Sequence, residues 1–164
     1  MSRHPVNRVQ TMTARKGALT GGAKRAPRPR RAAAAARRSR ELAIAAARIA
    51  DQNNCEEIVV LDLRGVSPVC DYFVIATGTS DRQMRAVADH IVEAAREAGD
   101  RPLGVSGLTE GTWIVIDFVD TVVHIFDPQH RRFYDLEMLW GDAPRVRWKR
   151  PARAAKKAGE AQAP

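Results

Sequence analysis

Apolar positions along the chain change their period several times, and each change marks an element. Leu42, Ala45, Ala46 and Ile49 recur at i, i+3, i+4 and i+7, one stripe of an amphipathic helix. The alanine run at 32–36 can carry that helix back towards Pro29, and Asn53-Asn54 supplies a stop. Ile58-Val59-Val60-Leu61 is a short unbroken apolar run with β-branched residues, which reads as a strand buried on both faces. Gly65, Ser67 and Pro68 mark a turn, and residues 72–76 form a second central strand. Ser80-Asp81-Arg82-Gln83 is a capping box, with Met84, Val87, Ala88, Ile91, Ala94 and Ala95 on one helical face behind it. Gly99 suits the position that ends this helix. Leu103-Gly104-Val105 begins a short strand, and strand, helix and strand together predict a right-handed crossover between parallel strands.

Strict alternation follows. Ile114, Ile116 and Phe118 share one strand face, while Trp113, Val115 and Asp117 share the other. Residues 121–126 pair back through a tight turn near Val119-Asp120, and residues 131–134 add a short strand. Leu136, Leu139 and Trp140 make a final helical turn that Gly141 and Pro144 end. Leaving out the short strand at 131–134, the order αββαβββα predicts an α/β fold, a single mixed β-sheet layered with helices.

Charge divides the chain into three. The net charge of +8 separates into +12 over residues 1–40, −9 over 41–146 and +5 over 147–164. The basic character thus belongs to two tails, expected to be disordered, and the folded segment 41–146 is acidic. The first tail, rich in Arg and free of acid, is compatible with a transit peptide, a solvated extension or a charge-only contact to RNA, and Met12 is an alternative start. No run of 18 apolar residues exists to cross a membrane. Cys55 and Cys70 cannot make a disulfide framework and read as buried small residues of a reducing compartment.

Signals for catalysis are weak. The chain has no P-loop, GxGxxG, HExxH, GxSxG or CxxC motif. His124 falls on the strand face of Val122 and Phe126, as a structural histidine would, and His130 reads as an exposed loop residue. His124, Asp127 and His130 match no standard metal spacing. Gly78-Thr79-Ser80 before a helix could hold a phosphate, but an N-cap explains it as well. A nucleotidyltransferase reading would have Asp117 and Asp120 hold Mg²⁺, yet they stand three apart across a turn and Asp62 has no acid at i±2. Trp113 shares its face with Asp117, so either a second layer covers that face or Trp113 is an exposed anchor for a partner.

Several blocks, in order, carry a resemblance. They are Ile58-Val59-Val60-Leu61-Asp62, the stretch from Asp71-Tyr72-Phe73 through Gly78-Thr79-Ser80-Asp81-Arg82-Gln83, Pro102-Leu103-Gly104-Val105, and Trp113-Ile114-Val115-Ile116-Asp117-Phe118. Val122-Val123-His124-Ile125-Phe126, Phe133-Tyr134-Asp135-Leu136-Glu137 and Leu139-Trp140 complete them. Residues 41–147 resemble the ribosome silencing factors, the RsfS or Iojap family. The resemblance implies a nucleotidyltransferase-like sheet without the catalytic motif, and a non-enzymatic protein with no cofactor or metal. It implies binding to the basic fourteenth protein of the large ribosomal subunit, which blocks small-subunit joining and represses translation. Organellar relatives imply large-subunit assembly as an alternative. The family's contact surface carries over to Trp113, Asp117, Phe118, Asp120, Tyr134 and Trp140. Val119 stands where the family usually has Gly; because Val is strained at positive φ, a different turn geometry is expected there. The expected setting is the cytoplasm, or alternatively an organelle matrix. Further expectations are tail contacts to ribosomal RNA and a homodimer off the ribosome.

Overall fold

The computed structural model of the chain describes residues 29–150, so the tail readings for 1–28 and 151–164 fall outside it. Its elements are α1 (Pro29–Gln52), β1 (Glu56–Asp62), β2 (Tyr72–Thr77), α2 (Asp81–Glu97), β3 (Gly104–Ser106), β4 (Trp113–Asp117), β5 (Thr121–Phe126), α3 (Pro128–Tyr134) and α4 (Leu136–Leu139). The strands form one mixed sheet in the order β1-β2-β5-β4-β3. β2 and β5 run parallel, from Tyr72 opposite Thr121 to Thr77 opposite Phe126, and every other neighbouring pair is antiparallel.

Two expectations about strand position change. β3 keeps the parallel sense expected of the crossover, since β3 and β5 both oppose β4. It does not lie beside β2, however, but at the far edge, with β5 and β4 between them. Three residues long and mostly exposed, it has the short form that suits an edge. β1 is the other edge. Val59 and Leu61 still bury on one face and Val60 on the other. Its open side is covered by the chain's return, where Asp62 N–H donates to Pro144 O (2.8 Å) and Val146 N–H to Val60 O (2.8 Å).

Each face of the sheet carries its own apolar layer. Val60, Tyr72, Val74, Ala76, Ile114, Ile116, Val123 and Ile125 pack against α1 and α2. Phe73, Ile75, Trp113, Val115, Val122 and Phe126 face the other way, under Leu136, Trp140 and Ala143. On α1 the buried stripe is Ala43, Ala46, Ala47 and Ala50, one step round from the stripe the pattern suggested. Ala45 is exposed, and Leu42 and Ile49 sit at the margin. Small side chains let the helix axis approach the sheet closely, and the larger residues are displaced to a cleft shared with Ile91 and Ala94 of α2.

Helix α2 starts as the capping box predicts, with one amendment. Ser80 Oγ accepts from Gln83 N–H (3.2 Å), but Gln83 Oε1 accepts from the N–H of Thr79 (2.7 Å), one residue before Ser80. Gln83 Nε2 also donates to Asn53 O (2.7 Å), which ties this helix to the end of α1. Gly78 is required by packing, because a Cβ there would lie 2.2 Å from Met84 Cγ.

The folded unit is wider than the charge boundaries at 40/41 and 146/147. Ser39 is buried, and its Oγ lies 3.0 Å from Ala36 O and 3.2 Å from Asp71 Oδ2. Trp148 is buried in the helix-side core, and Arg48 Nε donates to its carbonyl (2.9 Å).

Candidate functional site

Residues after β5 decide the character of the face opposite the long helices. Asp127 caps a helix, its Oδ1 accepting from His130 N–H (2.7 Å), and Pro128 stands at the first turn. Residues 131–134, expected as a strand, are therefore helical, and His130 is a partly buried first-turn residue with Nδ1 2.9 Å from Asp127 Oδ2. Asp135, at φ 38°, ends α3 and caps α4, accepting from Met138 N–H (3.3 Å). This sharp redirection turns Leu136 and Trp140 inward.

Beneath these short helices lies an aromatic layer. Trp113 stacks on Phe126 (ring centroids 4.8 Å apart) and meets Tyr134 at 4.5 Å. Phe73 stands edge-on to His124 (4.6 Å) and to Trp140 (5.9 Å). Trp113 is only 3% exposed, so it is a packed floor residue and not the exposed anchor that alternation suggested. Alternation put it on the correct face; a second layer, built 15 residues and more downstream, covers that face.

Trp113 Nε1 donates to His124 Nδ1 (3.3 Å), which leaves the proton of a neutral imidazole on Nε2. Nε2 is buried without a hydrogen-bond partner, and burial pushes the His124 pKa down to about 3. The one buried cation on this side, among the described residues, is Arg131. Its guanidinium donates to Thr77 Oγ1 (2.9 Å) and to Glu137 Oε2 (3.0 and 3.3 Å), pinning α3 and α4 to the sheet. A buried charge so paired and hydrogen-bonded holds its geometry well.

The hairpin turn has the strained geometry that the presence of Val argued against. Val119 adopts φ 75°, and Asp120 N–H donates to Phe118 O (3.0 Å), a γ-turn of the rarer positive-φ kind. Asp117 Oδ1 accepts from Val119 N–H (2.8 Å), and Phe118 N–H donates to Thr121 O (2.8 Å), so the surroundings over-determine the turn. Asp120 is exposed at the tip; desolvation first, and the charge of Asp71 second, raise its pKa.

The six expected site residues are thus only partly brought together. Trp113, Tyr134 and Trp140 belong to one aromatic layer. Asp117 lies on the same sheet face but four residues along the strand from Trp113, about 13 Å away. Phe118 is buried on the opposite, helix-side face, and Asp120 stands at the turn. The large apolar side chains exposed on α3 and α4 are others: Phe133 (78% exposed), Met138 (73%) and Leu139 (46%). Phe133 faces solvent, while its neighbour Tyr134 is half-buried against Trp113.

The geometry gives the catalytic readings little to work with. One Asp117 oxygen is committed to the turn, and the Thr79 N–H is taken by Gln83. Among the described residues no group of three or more His, Cys, Asp or Glu could hold a metal ion. Cys55 and Cys70 are both buried, and burial pushes the Cys55 thiol up to about 11, away from the nucleophilic thiolate. No helix among the described residues is long and apolar enough to cross a membrane.

Comparison with known proteins agrees with this picture. The family described as "Ribosomal silencing factor during starvation" matches residues 36–164. A ribosomal silencing factor of Bacillus subtilis is 45% identical over 99 residues, covering 60% of this chain and 84% of the relative. A mouse relative named for mitochondrial assembly of the ribosomal large subunit is 32% identical over 92 residues, which is 54% of this chain and 40% of that protein. A crystal structure from Bacillus halodurans superposes with a TM-score of 0.56 at 33% identity, covering 68% of this chain and 98% of that one. One from Chromobacterium violaceum gives 0.58 at 31% identity, with coverage of 74% and 94%. The family match over residues 36–164, the identities of the relatives and the superposed structures agree: the chain belongs to the ribosomal silencing factor family, RsfS, to which the Iojap proteins are related.

Proposed function

We propose that the protein docks on the basic fourteenth protein of the large ribosomal subunit and represses translation by standing where the small subunit must join. The observation that carries this reading is the surface of α3 and α4. Phe133, Met138 and Leu139 project from two short helices pinned by Arg131 to a floor of packed aromatic rings. Exposed large apolar side chains on a rigid base are what the centre of an interface needs. Tyr134 contributes its exposed part, and Trp113 and Trp140 shape the surface from beneath. The net charge of −9 over residues 41–146, with Asp117 and Asp120 at the turn, suits a basic protein better than RNA phosphates. Phe118 supports that turn from the helix side. The mechanism is steric and needs no reacting group. The names of the bacterial relatives support repression in a bacterial cytoplasm. The name of the mouse relative favours a second reading, large-subunit assembly, that would use the same surface. A homodimer through the same apolar side chains would compete with either.

Co-sedimentation of the full chain with isolated ribosomal subunits tests the surface. The wild type is expected to pellet with the large subunit only. Phe133→Ser with Met138→Ser, both at exposed positions that leave the core intact, is expected to weaken this by about tenfold or more. Equal binding by the double variant contradicts the assignment.

A further inference from the structure

Helix α1 overshoots the core it packs on. No side chain from residue 30 to 38 is buried. About 13 Å of helix, nine residues at 1.5 Å each, therefore stands ahead of its first buried residue, Ser39. That length carries Arg30, Arg31, Arg37 and Arg38, with Arg40 just beyond and no acid before Glu41. Seven positions make nearly two full turns, so Arg30 aligns with Arg37 and Arg31 with Arg38. The result is two arginine pairs about 10 Å apart along one face, with Ala34 between them. Arg37 contacts Glu41 (2.9 Å) and Arg38 contacts Asp100 (2.8 Å). These are solvent-facing ion pairs of small worth that another anion can displace. Arg30 and Arg31 have no acidic partner among the described residues.

We infer that this projecting arm binds the phosphate backbone of double-helical RNA. Its chemistry selects that partner. The charge is of one sign and is all arginine, whose planar fork fits phosphate oxygens two at a time. Alanine is the only apolar residue between Arg30 and Glu41, so the arm has no large apolar face to sink into a membrane. It also has no aromatic or aliphatic anchor of the kind that protein interfaces use. The alanines keep the rod thin, which allows close approach to a groove. Seven further Lys and Arg residues in 1–28 precede it in the sequence. The family match begins at residue 36, so residues 30–35 of the arm lie ahead of it. The choice of RNA over other polyphosphates rests on the ribosomal reading above; the phosphate contact does not.

The test uses the full chain and a short labelled RNA duplex free of ribosomes, followed by fluorescence anisotropy between about 50 and 200 mM salt. Failure here therefore leaves the docking surface of α3 and α4 standing, and failure there leaves the arm standing. Arg30→Gln, Arg31→Gln and Arg37→Gln together remove three charges while keeping good helix formers. This variant is expected to flatten the slope of log affinity against log salt by about 2 to 3 and to weaken binding about tenfold or more. Ala34→Pro keeps every charge but breaks the rod, and is expected to weaken binding severalfold. An unchanged slope in the triple variant overturns the inference. So does equal binding by the Ala34→Pro chain, or tighter binding to phosphatidylserine-rich vesicles than to the duplex.

Discussion

Acidification isolates the group that the core holds furthest from its solution behaviour. His124 is fully buried, flanked in register by Ile75 and Val115 and ringed by Phe73, Trp113 and Phe126. Burial pushes its pKa from 6.5 down to about 3. The folded value lies below the unfolded one, so the unfolded chain takes up the proton first. The stability this residue contributes is complete above about pH 6.5 and is lost as the pH falls towards 3. At about pH 5 the loss amounts to roughly 2 kcal/mol, 1.36 kcal/mol for each of about one and a half pH units. Urea unfolding at about pH 7.5 and pH 5 measures it. The control is His124→Gln, which removes the titrating ring but keeps a carbonyl to accept the Trp113 Nε1–H. Every other histidine is common to both proteins, so the difference between the two pH dependences belongs to position 124. The wild type should lose about 2 kcal/mol more than the variant over this interval. Equal losses would show that the ring takes up its proton in the folded state, and the sealed aromatic layer would be the wrong description.

Two other substitutions probe the aromatic layer and the hairpin turn. Trp113→Ala removes a ring packed between Phe126 and Tyr134 and should cost about 3–5 kcal/mol of folding stability in urea unfolding; a loss well under 1 kcal/mol would mean the ring is not in the core. Val119→Gly relieves a residue held at φ 75° and should stabilise the protein by about 1 kcal/mol, read as a higher Tm, whereas a lower Tm would mean the turn carries no strain.

Much of the fold is legible in the sequence because it is written in local periodicity. The alternation from Trp113 to Phe118, the Ser80 cap and the Gly99 stop each depend on residues a few positions apart. What is not legible depends on distant neighbours or on size. That β3 takes the far edge follows from a pairing with β4, which nothing within the strand–helix–strand unit announces. The face α1 buries is chosen by closeness of approach, which favours Ala43 and Ala47 over the more hydrophobic Leu42 and Ile49. At 131–134 the informative signal lies upstream, where Asp127-Pro128 is a cap followed by a first-turn proline. The same misreading carries into the candidate site. Without α3 and α4 as a covering layer, Trp113 looks like an exposed anchor, and the solvent exposure of Phe133, Met138 and Leu139 goes unnoticed. Asp120 is legible as an exposed turn residue, but its distance from the aromatic layer is not.

A subunit-joining assay with the full chain goes to the heart of the mechanism. Large subunits would be saturated with the protein, small subunits added, and the products separated on a sucrose gradient. Occlusion predicts that the joined-ribosome peak falls in proportion to the large subunits occupied, and that Phe133→Ser with Met138→Ser restores it. Undiminished joining on large subunits that still carry the protein would contradict a steric block.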